Sequence, residues 1–217
     1  MCIRDRSSAR DDVSDVFDLA GAFALPQNSR TFAGEWSASN FDARHRLAFN
    51  FIYTFASKYP NSGTAKMLLS GLRIAGTGRL QTGQPFTVNS TIDVNQDGNL
   101  TDRLNTTDGL VVTGNARQPL ILTTNNPLTL LAPFGQDGAI HRNTFRAGGL
   151  VQLDLAISRN FVISKDKFLT FRVEIFNLLN RTNFGVPNRF LEAPGFGQSS
   201  NTTTPGRRAQ ISVKYAF

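Results

Sequence analysis

From Arg208 to Phe217 the side chains change character at every step. Ala209, Ile211, Val213, Tyr215 and Phe217 fall on one face, and Arg208, Gln210, Ser212 and Lys214 fall on the other. Successive residues of a strand point to opposite sides, so this period of two predicts a strand with one apolar and one polar face. Four more segments carry the same period and are predicted strands: 44–57, 66–82, 149–161 and 167–178. In the first, Leu47, Phe49, Phe51, Tyr53 and Phe55 share a face, with Ile52 the exception among Arg46, Ala48, Asn50 and Thr54 opposite. In the second, Leu68, Leu72, Ile74 and Leu80 oppose Arg73, Thr77, Arg79 and Gln81, while Gly71, Gly76 and Gly78 weaken the pattern. In the third, Val151, Leu153, Leu155 and Ile157 oppose Gln152, Asp154 and Ser158. In the fourth, Leu169, Phe171, Val173 and Ile175 oppose Thr170, Arg172 and Glu174. A helical stripe of Phe168, Phe171, Ile175 and Leu178 competes there, but β-branched and aromatic residues favour the strand. All nine prolines lie outside these spans, as a ladder that needs N–H donors requires.

Composition narrows what such strands build. No run of about 18 apolar residues exists, so a transmembrane helix is not expected. Mean hydropathy is −0.20, which alone reads as soluble. A barrel in a membrane gives the same average, because alternate residues face a wet lumen. The 18 Phe beside 3 Tyr and 1 Trp fit a lipid-facing surface better than an ordinary soluble core. The formal net charge of +7 raises nucleic acid as a partner. The basic residues argue against it: Arg46, Arg73, Arg79, Arg172, Arg208 and Lys214 are scattered between apolar neighbours on strands, as in a polar lumen wall. Cys2 is the single cysteine, so no intrachain disulfide forms. Its surroundings, Met-Cys-Ile-Arg-Asp-Arg, lack the apolar stretch of a signal peptide, and residues 1–6 read as a non-native scar, set aside from fold reasoning.

The connections alternate in length. Segment 57–66, with Pro60, Asn61 and Gly63, and a turn at Ser164–Asp166 are short; 83–148 and 180–206 are long. In a compact soluble domain such structureless loops would count against the strands. In an outer-membrane barrel, periplasmic turns are short and extracellular loops long. With the C-terminus periplasmic, both long loops and the segment 7–43 lie outside the cell. The expected fold is all-β: an antiparallel transmembrane β-barrel fragment over 44–217, with about five C-terminal strands and long extracellular loops. Five strands cannot close a barrel, whose smallest members have about 8. An open sheet would leave unpaired edges in lipid. Either the chain assembles with others or it is the C-terminal piece of something longer, and the second is the favoured expectation.

Several stretches resemble the C-terminal barrel of TonB-dependent outer-membrane receptors, the Oar-like branch in particular. They are Ser39-Asn40-Phe41-Asp42-Ala43-Arg44-His45-Arg46, Ser70-Gly71, Thr82-Gly83-Gln84-Pro85-Phe86, and Arg142-Asn143-Thr144-Phe145-Arg146. The most specific is Phe171-Arg172-Val173-Glu174-Ile175-Phe176-Asn177-Leu178-Leu179-Asn180, followed by Thr182-Asn183-Phe184-Gly185. With the final strand, the resemblance covers roughly 25–217. It implies a plugged barrel of about 22 strands, energised through TonB. This chain lacks the plug, the TonB-contacting segment and most of the strands, so TonB would be a partner only through a missing N-terminal region. The resemblance also makes Tyr215 and Phe217 the key residues of a C-terminal signal read by the barrel-assembly machinery.

The sharpest local motif is Asp93-Val94-Asn95-Gln96-Asp97-Gly98-Asn99-Leu100-Thr101-Asp102. Oxygen ligands at alternate positions with glycine sixth match the first half of an EF-hand-type calcium loop. The twelfth position is Leu104 rather than Glu, so Asp102 would stand in for the missing ligand. Asp93, Asn95, Asp97, Asn99 and Asp102 are therefore candidate Ca²⁺ ligands in an extracellular loop, weighed against a plain Asx-rich turn. No other cofactor is expected. Arg172 and Glu174, two apart on one face, are expected to face the lumen as an ion pair. His45 and His141 have no carboxylate framework, and no nucleophile–base arrangement supports an enzyme. The expected function is barrel wall and extracellular loops for recognition and uptake of an unidentified small or oligomeric substrate, with outer-membrane lipid as a partner. Two rivals stay open: an outer-membrane anchor or adhesion protein without transport, and a soluble secreted β-sandwich that binds calcium.

Overall fold

The computed structural model describes residues 1–13, 26–55, 70–164 and 166–217. Five long strands form where the alternation predicts them: β4 (Arg46–Thr54), β5 (Leu72–Gln81), β10 (Leu150–Ser164), β11 (Lys167–Phe176) and β12 (Arg208–Ala216). A short strand, β1 (Cys2–Asp5), pairs with β4, so residues set aside as a scar lie on the edge of the sheet. The order is β1-β4-β5-β10-β11-β12, with every neighbouring pair antiparallel. The expected connection over 57–66 and residue 165 of the expected turn at Ser164–Asp166 lie outside the described residues, as do Leu68 and the beginning of the predicted second strand.

As far as Phe161, register carries the apolar face across the sheet without a slip. Ile74, Ile157, Val173 and Ile211 form one row, joined by Tyr53 of β4. The next row is Leu72, Arg159, Phe171 and Val213, and the next is Phe161, Leu169 and Tyr215. Toward the other end stand Phe51, Gly76, Leu155, Ile175 and Ala209. The last rows there are Phe49–Gly78–Leu153 and Leu47–Leu80–Val151. From Val151 to Phe161 is roughly 33 Å along β10 at about 3.3 Å per residue. At a tilt of about 40° this crosses ~25 Å, the height of the apolar band of a membrane barrel. On β4 Tyr53, in the row of Val173, meets Phe55 edge to face at 4.8 Å, and toward the Phe161 end Tyr215 and Phe217 stack at 5.6 Å. Arg159 stands on the apolar face just there, its guanidinium 4.6 Å from the Phe161 ring centre, as a long cation does when it reaches for an interface.

The glycines that weaken the pattern of β5 have a packing reason. The rings of Phe51 and Phe49 lie over Gly76 and Gly78, their cross-strand partners, and a methyl group on either glycine would overlap the ring. Aromatic rings opposite glycine restore the cover that a missing side chain leaves.

The remaining strands are short: β2 (Arg10–Asp11) with β3 (Ser37–Ala38), β6 (Pro85–Phe86) with β9 (Phe145–Arg146), and β7 (Leu110–Val112) with β8 (Leu120–Leu122). Each pair is a two-stranded ladder, and among the described residues none is a second large sheet laid on the first. The β-sandwich alternative is thereby corrected. So is the expectation of structureless loops. The connection from β5 to β10 and the one from β11 to β12 meet at one end of the sheet and share a hydrophobic core: Phe86, Val88, Leu104, Leu120, Leu130, Phe145, Leu191 and Phe196. We call this unit the cap.

Candidate functional site

The cap is stitched to the segment before β4 by charge. Arg103 and Glu35 form a buried ion pair, and Gln27 Nε2 donates to the carbonyl of Gly138 at 3.1 Å while its Oε1 accepts from the N–H of Arg103. Arg142 pairs with Asp11, and Arg146 pairs with Asp42 at 2.5 Å. Between the two arginines, Asn143 adopts φ 56° and its side-chain amide donates to Ala38 O at 2.6 Å and to Asn40 Oδ1 at 2.7 Å. The run Arg142–Arg146, quoted above only for its resemblance, is thus a clip with three independent grips. Burial works to raise the Asp42 carboxyl, but the Arg146 guanidinium, the Ala9 N–H and the nearby Arg44 outweigh it and hold it below the usual carboxylate range.

A second junction joins cap to sheet. Asn177 is buried at φ 52° where β11 ends; its N–H donates to Asp154 Oδ1 at 2.8 Å, and its side chain grips Arg181 and Pro205. Asn183 mimics a strand partner for Val151: its Oδ1 accepts from the Val151 N–H at 2.9 Å, its amide donates to the Val151 carbonyl at 3.0 Å, and a further bond reaches Thr204. Periodicity has no means of finding these asparagines. The available signal was a cluster of Asn at the foot of a strand, where left-handed backbone and side-chain hydrogen bonds favour that residue.

Arg172 and Glu174 lie on the same face of β11, with Arg172 Nη2 and Glu174 Oε1 2.6 Å apart. With Asn50, Ile52, Ala75, Thr77, Asp154, Ala156 and Phe176 they line a hollow of about 560 Å³. Asp154 belongs to both regions, lining the hollow and accepting from Asn177 at the base of the cap. Tyr215 takes the apolar face at the far end of β12, and Phe217 follows the strand's last residue.

The acidic turn folds through its own amides. Asp93 accepts from the N–H of Asp97 at 3.1 Å and of Gly98 at 3.0 Å, Asn95 Oδ1 accepts from Asp97, and Asp97 accepts from Asn99 at 2.8 Å. Gly98 takes φ 91°, the conformation that the sixth position of the motif requires. Asp102 lies beneath, its Oδ2 accepting from the Val94 N–H at 2.7 Å. Burial pushes the Asp102 carboxyl up to about 6; the N–H groups of Val94 and Asn95 act against the rise, and Asp93 and Asp97 add to it. Asn99 points its amide at Asp97, at 3.5 Å. Leu104, where a calcium loop carries Glu, is instead at the centre of the cap core. Among the described residues, no three His, Cys, Asp or Glu side chains gather into a ready-made metal cage.

Residues 7–210 match a family model described as "Outer membrane beta barrel domain". Neither a curated protein nor a solved structure matches the chain.

Proposed function

The chain belongs to the outer membrane beta barrel domain family and its place is the outer membrane, and from that premise we propose that it forms wall and extracellular loops of a TonB-dependent transporter of the Oar-like kind. The carrying observation is the continuity of cap and hollow through Asp154, which lines the hollow beside the Arg172–Glu174 pair and holds the base of the cap at Asn177. A membrane anchor needs loops to display and an apolar band to hold them. It has no use for a hollow lined with paired charges directly beneath those loops. A transporter needs both: a recognition surface outside, and a polar path that opens under it. The ion pair of Arg172 and Glu174 keeps that path hydrated, and the Asp154 carboxylate adds a negative charge to its wall. No step of the reading calls for catalysis.

The test is the genomic DNA upstream of the Met1 codon. An open frame that runs through further alternating strands to a plug domain and a signal peptide is the expected result. A start at Met1 with its own ribosome site and no upstream frame would withdraw transport and leave the anchor reading in its place.

A further inference from the structure

Four carboxylates lie on or beside the acidic turn of the cap. Asp93, Asp97 and Asp102 belong to the acidic turn, and Asp137 joins them through Asn95, whose amide donates to Asp137 Oδ1 at 2.8 Å. None of the four makes an ion pair among the described residues; the nearby Arg103 is committed to Glu35. Amide and N–H donors hold the turn's shape, but they leave its negative charge uncancelled.

Asp102 is the unusual member. It is 1% exposed, and its Oδ1 is buried without a hydrogen-bond partner among the described residues. Its other oxygen accepts from Val94, which lies inside the turn between Asp93 and Asn95, so the carboxylate is aimed into the turn. A buried, unpartnered carboxylate oxygen is expensive, because desolvation takes away water and gives nothing back. A hard cation would meet that oxygen's need and the cluster's charge together. We propose that the turn 93–102 binds one Ca²⁺, with Asp102 Oδ1 as the inner ligand and Asp93, Asp97 and the side-chain oxygen of Asn95 as outer ligands.

Chemistry favours Ca²⁺ over Mg²⁺. The donors are carboxylate and amide oxygens on an irregular turn, and Ca²⁺ accepts 6–8 such ligands in flexible geometry, whereas Mg²⁺ demands a near-ideal octahedron. The carboxylates do not stand as a finished cage, so the turn must tighten around the ion. An affinity on the order of 10⁻⁴–10⁻³ M follows, the range of extracellular modules. The consequence reaches beyond the turn. Asn95 donates to Gln27 O at 2.8 Å, and Asp97 accepts from the N–H of Ser29. A cation that fixes Asn95 and Asp97 therefore fixes the strap at 27–29 against the cap. The proposal does not depend on transport and would hold for an anchor as well.

The experiment uses the full chain folded in detergent micelles and stripped with chelator. Calorimetric titration with CaCl₂, then separately with MgCl₂, is combined with the rate of proteolysis within 83–148. Saturable heat from one Ca²⁺ per chain, with cleavage slowed at least about fivefold by Ca²⁺ and little by Mg²⁺, is the expected result. Asp102→Asn should abolish the heat. Because that buried position can also disturb folding, Asp97→Asn at the half-buried rim is the second variant; it should weaken binding about tenfold or more while the sheet keeps its heat-modifiable gel mobility. Absence of saturable heat up to about 10 mM Ca²⁺ would overturn the site and leave Asp102 satisfied by a proton or a water. So would wild-type binding by both variants.

Discussion

On the apolar face of the large sheet, Ile211 and Val213 are 67% and 62% exposed; in the cap, Leu104 and Leu130 are 0% exposed. The two regions belong to one chain and lie end to end, yet each obeys a different solvent. The sheet presents its apolar side chains outward, where lipid takes the place of a core, and its order comes from backbone ladders in strict register. The cap faces water and must bury its own core, as a soluble domain does, even though that core draws on two loops far apart in sequence. A membrane barrel of this kind therefore carries a water-soluble fold on its rim. The two should fail by different routes.

The largest effect separates them most directly. Phe86→Ala removes a buried ring that stands 6.0 Å from Phe145, and it should cost the cap about 3–5 kcal/mol. Proteolysis within 83–148 should become fast while the sheet keeps its heat-modifiable gel mobility. Loss of both together would show that the cap and sheet fold as one unit.

Val173→Arg attacks the other region. Val173 lies between Ile157 and Ile211, near the middle of the apolar band, and an arginine there should cost about 2–4 kcal/mol. Assembly into the outer membrane is the readout. Thr170→Leu on the polar face should assemble at close to the normal level. The reverse result would exchange the two faces of the sheet.

Glycine makes the contrast finer. At Gly197, φ is 73° and an added Cβ would run into the backbone carbonyl of Leu120, so Gly197→Ala should destabilise the cap by about 1–3 kcal/mol. At Gly76 the obstacle is the Phe51 ring, which is free to swing out into lipid, so Gly76→Ala should cost less than about 1 kcal/mol. Urea midpoints of the two variants, compared by protease resistance and by strand content, would decide. A larger loss at Gly76 would mean that the ring is pinned and the sheet face is not fluid.

The smallest effect is one of pH. Asp42 is held below its ordinary range in the fold, so its contribution is complete above about 3.9, the value of an unfolded aspartate, and is lost as pH falls through the lower folded value. Acidification below about pH 4 should loosen the segment before β4 from the cap and leave the sheet unchanged. Protease sensitivity near residues 9–42 against pH is the measurement, and Asp42→Asn should flatten the curve.

The sheet was legible in the sequence because its rule is local. A period of two survives in any window of eight residues, and Val173, Ile175 and Arg172 declare their faces without knowledge of a partner. Even Arg172 with Glu174 could be paired on paper. The cap was not legible, for the opposite reason. Leu104 reads as a failed calcium ligand until Leu130 and Phe196 are seen around it, and Glu35 gains its meaning only from Arg103, far along the chain. Contacts between distant irregular segments leave no periodic trace, and the asparagines at 143, 177 and 183 act through backbone atoms that no pattern of side chains reveals.

The unbroken rows from β4 to β12 also restrict how such a wall can change over generations. One residue gained or lost in the middle of β10 would exchange inside for outside along the rest of the strand. Substitutions can accumulate there freely within a polarity class, while insertions and deletions survive only in pairs. The β10–β11 ladder shifts its register at Val162–Ser164, beyond the last full apolar row, where an odd residue flips nothing that faces lipid. Related chains should therefore differ in length by even steps inside the strands, and by any number in the turns and the cap.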